Sequence, residues 1–311
     1  MNVSKMLSKT RLFTDVEKLE MSLTGRENVI LPDPDSPSRF DIIRGRLESQ
    51  EGGPPLRLLP TMLQCLSGIK ESFRTLDDNP PHPKTTANED LFPEIEEYVH
   101  SLGVSSIGYT RLPARWVFQD KAVLYQNAIV LTMEMDKEGI DSAPGVACMR
   151  TVMETYRDLG QIVNQLAAYL RERGFGAHAG HPLNGVALYP PLAQSAGLGW
   201  MGLNGLIIAP EHGPRVRLAA VFTSIENLPF NGENQHAWVE TYCQKCGICI
   251  KKCPPKALYG APVDHGDGRY TYLENKLCFP YFNKYHGCSV CVKVCPFNHQ
   301  PYSRIKDGFL R

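Results

Sequence analysis

The chain has no surplus of either charge: 33 lysines and arginines balance 33 aspartates and glutamates over 311 residues. Nothing therefore draws it as a whole to nucleic acid or to an anionic membrane. A long apolar run is also missing at the start, where MNVSKMLSKTRLFTDVEKLE is interrupted by charge and holds no twin-arginine pair. That excludes a secretory signal or a membrane span in this stretch, and the expectation is a cytoplasmic protein. In such a compartment clustered cysteines are metal ligands before they are disulfides. No internal repeat is present apart from the cysteine runs. The glycines of AGLGWMGLNG do not follow a predicted strand into a GxGxxG helix with an acidic residue downstream, so a nicotinamide-binding Rossmann reading is weak.

What the chain does have is ten cysteines, eight of them after residue 242. YCQKCGICIKKCP places Cys243, Cys246, Cys249 and Cys253 in an x2, x2, x3 series closed by Pro254. This is the iron–sulfur spacing of two-cluster ferredoxins, in which the fourth cysteine serves the other cluster. A partial copy follows as Cys288, Cys291 and Cys295-Pro296, with Tyr285 where its first ligand is due. Cys278 in KLCFPYF is the nearby thiol that replaces it. The crossed assignment gives one [4Fe-4S] cluster to Cys243, Cys246, Cys249 and Cys295, and another to Cys253, Cys278, Cys288 and Cys291. Structural zinc also uses CxxC pairs, but it explains neither the two CxxxCP closures nor eight thiols. Cys65 and Cys148 read as small buried hydrophobes.

From Cys243 onward eleven lysines and arginines face four acidic residues. The plain reading is a solvated face. The sharper one is a docking patch for an acidic electron donor such as a ferredoxin or flavodoxin. Two clusters form a wire, and the rest of the chain must hold what the wire reduces.

Residues 1–90 read as a partly irregular extension, because LPDPDSPSRF and DDNPPHPKTTANED are rich in turn formers. Residues 91–235 form the second unit and residues 236–311 the ferredoxin-like one. LFPEIEEYVHSLG predicts an amphipathic helix and AIVLTMEM a buried strand. ACMRTVMETYRDLGQIVNQLAAYLRERG predicts a long helix stopped at Gly174 after Arg171 and Arg173. Strands GLIIAP and VRLAAVFTSI follow, and the mixture without βαβ repetition implies an α+β layered domain.

AGLGWMGLNGLIIAPEHGPRVRLAAVFTSIENLP, followed by the two cysteine runs and the isolated cysteine between them, resembles the cobalamin-dependent iron–sulfur family of reductive dehalogenases and epoxyqueuosine reductases. The resemblance covers roughly residues 94–299. It implies a nitroreductase-like cobalamin-binding domain followed by a ferredoxin-like domain with two [4Fe-4S] clusters, and base-off cobalamin held between them. The corrinoid contacts it implies are Gly197, Gly199, Trp200, Gly202, Asn204 and Gly205. NGLIIAPEHGPRVRLAAVFT looks like the dehalogenase branch, whose substrates are small organohalides, whereas GLGW looks more like the epoxyqueuosine branch. That second branch carries an acidic aspartate where this chain has Leu183 or Asn184 in HPLNGVAL. The neutral balance gives little help in binding tRNA, although the basic tail leaves that option open. The dehalogenase branch uses a tyrosine proton donor with a basic partner: Tyr156 matches the tyrosine, and Arg215 or Arg217 the partner. Trp200 departs from the acidic residue usual there in dehalogenases. An electron carrier with no substrate of its own is the third reading.

Overall fold

The computed structural model describes residues 11–26, 29–38, 55–230, 232–266 and 269–311. Its centre is a four-stranded antiparallel sheet in the order β1-β2-β6-β3, with β1 Ser106–Arg111, β2 Asn127–Glu134, β3 Ala177–Gly180 and β6 Val216–Thr223, while the short β4 Trp200–Met201 and β5 Ile207–Ile208 pair with each other. Successive side chains of a strand point to opposite faces, and both faces of this sheet are buried. Ile129 and Leu131 of β2, with Ala219 and Val221 of β6, enter one core. Ala128 and Val130, with Ala220 and Phe222, enter the other.

The first core is closed by helix α5, Val146–Glu172, which presents Leu159, Ile162, Val163, Leu166 and Leu170 at helical spacing. It ends where the sequence implies, with Arg171 in the last turn and Gly174 at a left-handed φ of 86°. Helix α3, Leu91–Ser101, completes that layer. The second core is covered by α6, Tyr189–Ser195, and by α2, Leu59–Arg74, with α1, Arg11–Thr24, packed on α2. Helices α1 and α2 lie in the stretch read as a partly irregular extension. Leu58, Met62, Cys65, Leu66, Ile69 and Phe73 are buried there, so α2 is part of the core. The short α4, Lys137–Asp141, precedes α5.

His181 joins these layers. Its ring is wedged between α2 and α5, where a Cβ added to Gly160 would stand 2.0 Å from Nε2 and one added to Gly68 would stand 3.1 Å from the same atom. The ring has no free side to retreat to. Gly160→Ala gains about 1 kcal/mol in helix propensity, but overpacking of a core costs about 1–3 kcal/mol, and the trapped ring places this site at the upper end. We expect a net loss of about 2 kcal/mol, visible as a lower denaturant midpoint at unchanged m-value. An unchanged midpoint would show that the ring moves aside.

After the sheet domain come α7, Trp238–Cys246, and α8, Ile248–Lys252, joined by Gly247 at φ 56°. A hairpin of β7, Leu258–Asp264, and β8, Tyr270–Leu273, then leads to α9, Asn275–Lys284. The short α10, Val290–Lys293, and α11, Pro296–His299, precede the final helix α12, Tyr302–Leu310. Hydrogen bonds fasten this unit to the sheet domain, among them Asn298 Nδ2 donating to Asp141 at 2.8 Å and Lys293 Nζ to the Ala143 carbonyl at 2.9 Å. Among the described residues no helix is long and apolar enough to cross a membrane.

Candidate cluster and active site

The local fold explains the cysteine spacing. Cys243 and Cys246 ride the last turn of α7, the left-handed Gly247 reverses the chain, and Cys249 rides α8. Cys253 then turns away into Pro254 with extended backbone, ψ 117°. The second run is built likewise: His286, Gly287 and Ser289 all have positive φ around Cys288, α10 carries Cys291, and Cys295 turns out into Pro296.

Electrostatic contacts among the thiols show which of them are neighbours. Burial raises Cys295, and the charges of Cys243, Cys249 and Cys246 add to it. Burial pushes Cys278 up to about 11, with Cys288 and Cys253 acting in the same direction. Cys291 is pushed up to about 12 by burial, then by Cys288, Cys249, Cys278 and Cys253. Cys295 therefore neighbours the first run and Cys278 the second, while Cys249 and Cys253 also act on each other between them. Cys243, Cys246, Cys249 and Cys295 also line one small cavity with Leu203 and Asn204. Thiols raised in this way are protonated when metal-free, and a cluster reverses that by binding them as thiolates. The eight thiols supply the residue types for two four-thiolate sites, but among the described residues no three such side chains are gathered closely enough to hold a metal ion as arranged.

The structure brings Tyr156 and Arg217 together. Tyr156 lies one turn before Leu159 on the sheet-facing side of α5. Arg217 shares the β6 face of Ala219 and Val221, which points at α5. The Arg217 guanidinium carbon stands 4.5 Å from the centre of the Tyr156 ring, within cation–π range. Arg217 Nε is buried without a hydrogen-bond partner. Among the described residues the Tyr156 hydroxyl has no partner either. Arg215 is engaged elsewhere: Nη1 pairs with Glu134 and donates to the Met135 carbonyl at 3.2 Å.

Tyr156 and Arg217 line a cavity of about 130 Å³ with Met62, Met149, Met153 and Leu183, and its far wall is Phe282, Gly287 and Ser289. That wall flanks Cys288, so this cavity adjoins the second thiol group. No carboxylate lines it. Cys148 is also in the wall, fully buried and hydrogen-bonded to Ser289, and burial raises its thiol. Cys65 is buried nearby with its thiol pushed up to about 12 by desolvation. Both behave as small apolar residues. Sequence reasoning missed the methionine wall and Ser289. Met62 had a signal, the helical spacing of LLPTMLQCLSGIKESF.

The glycine block faces another cavity. Trp200, Gly202 and Gly205 line a cleft of about 330 Å³ beside Cys243 of the first thiol group. Leu206 of the same loop and Tyr156 both pack against the small core of Met135, Ile140 and Val152. The glycines are filled by protein. A Cβ on Gly199 would meet the Ile208 carbonyl oxygen at 2.3 Å, one on Gly202 would meet Asn204 Oδ1 at 2.9 Å, and one on Gly205 would meet Tyr272 Cβ at 3.0 Å. Gly197 takes a left-handed φ of 74° after α6, and Asn204 is buried, accepting from the Leu206 amide at 3.2 Å.

Drug-sized ligands occupy pockets of roughly 300–1,000 Å³, and a corrin with its amide arms is bulkier than most of them. Among the described residues, neither the cavity at Tyr156 nor the cleft at the glycine block encloses such a group, and the glycine faces are not open to it. As arranged, these residues do not fit a corrinoid.

His178 and His181 are structural. Each accepts a backbone N–H on Nδ1, from Leu124 at 3.3 Å and Leu183 at 3.2 Å. Burial lowers both to about 3, with the charges of Arg171 and Arg26 adding to the effect at His178. A depressed folded value means stability that is full above the ordinary histidine value and lost as pH falls from about 6.5 toward 3. At pH 5 each should cost about 2 kcal/mol. Denaturant titrations at pH 7 and pH 5 read this directly, and equal stabilities would contradict it.

Residues 242–299 match the 4Fe-4S dicluster domain family. Over 214 residues the chain is 31% identical to the tetrachloroethene reductive dehalogenase of Desulfitobacterium hafniense, covering 63% of this chain and 37% of that protein. It is 32% identical over 114 residues to the epoxyqueuosine reductase of Listeria monocytogenes, covering 34% and 28%. The chain is a homologue of reductive dehalogenases and epoxyqueuosine reductases. Those relatives are oxidoreductases. Among solved structures, a catabolic reductive dehalogenase in complex with 3-bromo-4-hydroxybenzoic acid superposes with a TM-score of 0.64 at 19% identity, over 79% of this chain and 39% of that one. A variant of the same enzyme gives 0.67 at 17% identity over 92% and 46%, so the fold is shared across nearly the whole chain. The chain spans well under two thirds of the length of these relatives.

Proposed function

We propose that the chain is an iron–sulfur reductase of the reductive dehalogenase type, acting on a small, apolar, halogen-bearing substrate in the cavity at Tyr156. One observation carries this reading: a tyrosine stacked under an arginine opens into an apolar, carboxylate-free space whose wall flanks Cys288. In this reading Cys243, Cys246, Cys249 and Cys295 hold the outer cluster and Cys253, Cys278, Cys288 and Cys291 the inner one. Residues 91–235, with α2 packed into their core, are the nitroreductase-like substrate domain and 236–311 the ferredoxin-like domain. Electrons pass from the outer cluster to the inner one and on to the substrate. Each cluster carries one electron at a time, so the pair supplies the two that replace halide with hydrogen: R–X + 2e⁻ + H⁺ → R–H + X⁻.

The chain's own residues supply the rest. The Tyr156 hydroxyl gives the proton to the carbon that loses halide, and Arg217 positions the ring and stabilises negative charge left on it. The methionines and Leu183 exclude water from the cavity. An acidic ferredoxin or flavodoxin is the donor that the basic tail fits. The resemblance implies a corrinoid. The described arrangement does not accommodate one.

The competing reading, a deoxygenase acting on a tRNA base, needs an acid where Leu183 faces the cavity, and it needs more room. A pure electron carrier does not account for the Tyr156–Arg217 pair. The test is anaerobic halide release by the cluster-loaded full chain, driven by titanium(III) citrate, from a chlorinated ethene and from a halogenated hydroxybenzoate. Release from the small alkene at a rate at least about tenfold above the aromatic is expected, one missing fit being worth roughly 1–3 kcal/mol. Halide from neither would overturn the reading.

A further inference from the structure

The cleft beside Cys243 is not accounted for by the reaction at Tyr156. It lies between the glycine block, α7 and the β7–β8 hairpin, a 24-residue insertion between Cys253 and Cys278. Its walls are flat and aromatic: Trp116, Trp200, Tyr270 and Tyr272 line it, with Glu240 and Gln244 offering polar groups at one side. Trp116 is 8% exposed and its Nε1–H is buried, out of reach of a ligand in the cleft, so it contributes only apolar surface. Tyr270 is 49% exposed and forms a rim that a ligand could stack under. The volume, about 330 Å³, is that of a small-molecule site. Its position matters most. Cys243 belongs to the thiol group that does not flank the Tyr156 cavity, so the cleft sits at the end of the wire where electrons enter.

We propose that this cleft binds a flat, aromatic electron donor of the flavin class, which reduces the cluster held by Cys243, Cys246, Cys249 and Cys295. This rests on the reading of that cluster as the outer one. The chemistry balances within the pair. A flavin hydroquinone passes one electron to the adjacent cluster and becomes the semiquinone. When the cluster has handed that electron to the inner one, the semiquinone passes the second. The flavin ends oxidised, its two protons go to water, and each cluster ends reduced by one electron. Aromatic walls suit the ring, and a carrier that gives up its electrons one at a time, such as flavin, matches one-electron clusters.

The test uses the full chain with its clusters loaded under anaerobic conditions, and FMN as the probe. Equilibrium dialysis should show one saturable site. Trp200→Ala, which removes an aromatic wall of the cleft, should weaken binding about 3- to 10-fold. Tyr270→Ala, at the rim and away from the core, should weaken it about 3- to 10-fold. FMN reduced in advance should bleach the cluster absorption in the parent protein, and more slowly in both variants at equal FMN. No saturable binding, or binding that neither variant changes, overturns the inference. Cobalamin that displaces FMN competitively also overturns it, by assigning the cleft to a corrinoid. Halide release with titanium(III) citrate but no FMN binding overturns this inference alone. FMN binding and cluster reduction without halide release overturns only the proposed reaction.

Discussion

A chain lacking both Cys253 and Cys278 should still hold about four irons after anaerobic reconstitution, whereas one lacking Cys243 and Cys253 should hold almost none. The crossed assignment puts Cys253 with Cys278 in one cluster and separates it from Cys243, although Cys243 is in its own run and Cys278 lies beyond a hairpin. A local assignment, with all four cysteines of YCQKCGICIKKCP on one cluster, predicts the reverse pairing of losses. The geometry behind the crossing is the outward turn at each Cys-Pro step, and the grouping of Cys295 with Cys243, Cys246 and Cys249. Iron and acid-labile sulfide per chain, with a spin count on the reduced protein, separate the two. The parent should give about eight irons. Far-ultraviolet dichroism of each variant guards against reading a folding failure as a ligand loss.

Tyr156→Phe should lower halide release by about 10²- to 10⁴-fold, the range over which a positioned general acid contributes, while leaving the iron content unchanged. The ring stays, the methionine wall stays, and only the proton is lost. Arg217 acts through Tyr156, so Arg217→Gln should lower kcat more than it raises KM, and Arg217→Lys should recover part of the loss, since a lysine keeps the charge but stacks less well on the ring. An Arg217→Lys rate no better than that of Arg217→Gln would mean that the arginine only packs. Arg215 variants should instead lose stability, because removing the guanidinium leaves Glu134 with only His212, whose Nδ1 is 3.4 Å away.

The cysteine order was fully legible, since ligand spacing is set by local turns and needs no tertiary information. The long helix was legible too: its apolar period and its Arg171–Gly174 stop reappear in α5. So were strands β2 and β6, whose continuous apolar runs mark a sheet buried on both faces. Helix α2 was not read, although Pro60 in its first turn and the spacing of Met62, Leu66, Ile69 and Phe73 announce it. Turn-rich stretches on either side dominated that reading. Choosing between Arg215 and Arg217 was beyond sequence, because residues two apart on a strand share a face. What separates them is a tertiary partner: Glu134 takes Arg215, and Arg217 is left over Tyr156. The glycine block shows the same limit. Its glycines could have opened onto a ligand or onto protein, and only the positions of Ile208, Asn204 and Tyr272 decide that.

The most direct test of the whole account is a single turnover. The cluster-loaded chain is reduced with titanium(III) citrate, freed of excess reductant, and mixed with a chlorinated ethene, with and without added cobalamin. Two clusters store two electrons, so about one halide per chain should appear as the reduced-cluster signal disappears, and Tyr156→Phe should slow both together. Clusters that stay reduced with no halide released, in the presence or absence of cobalamin, would contradict the claim that this wire ends at the Tyr156 cavity.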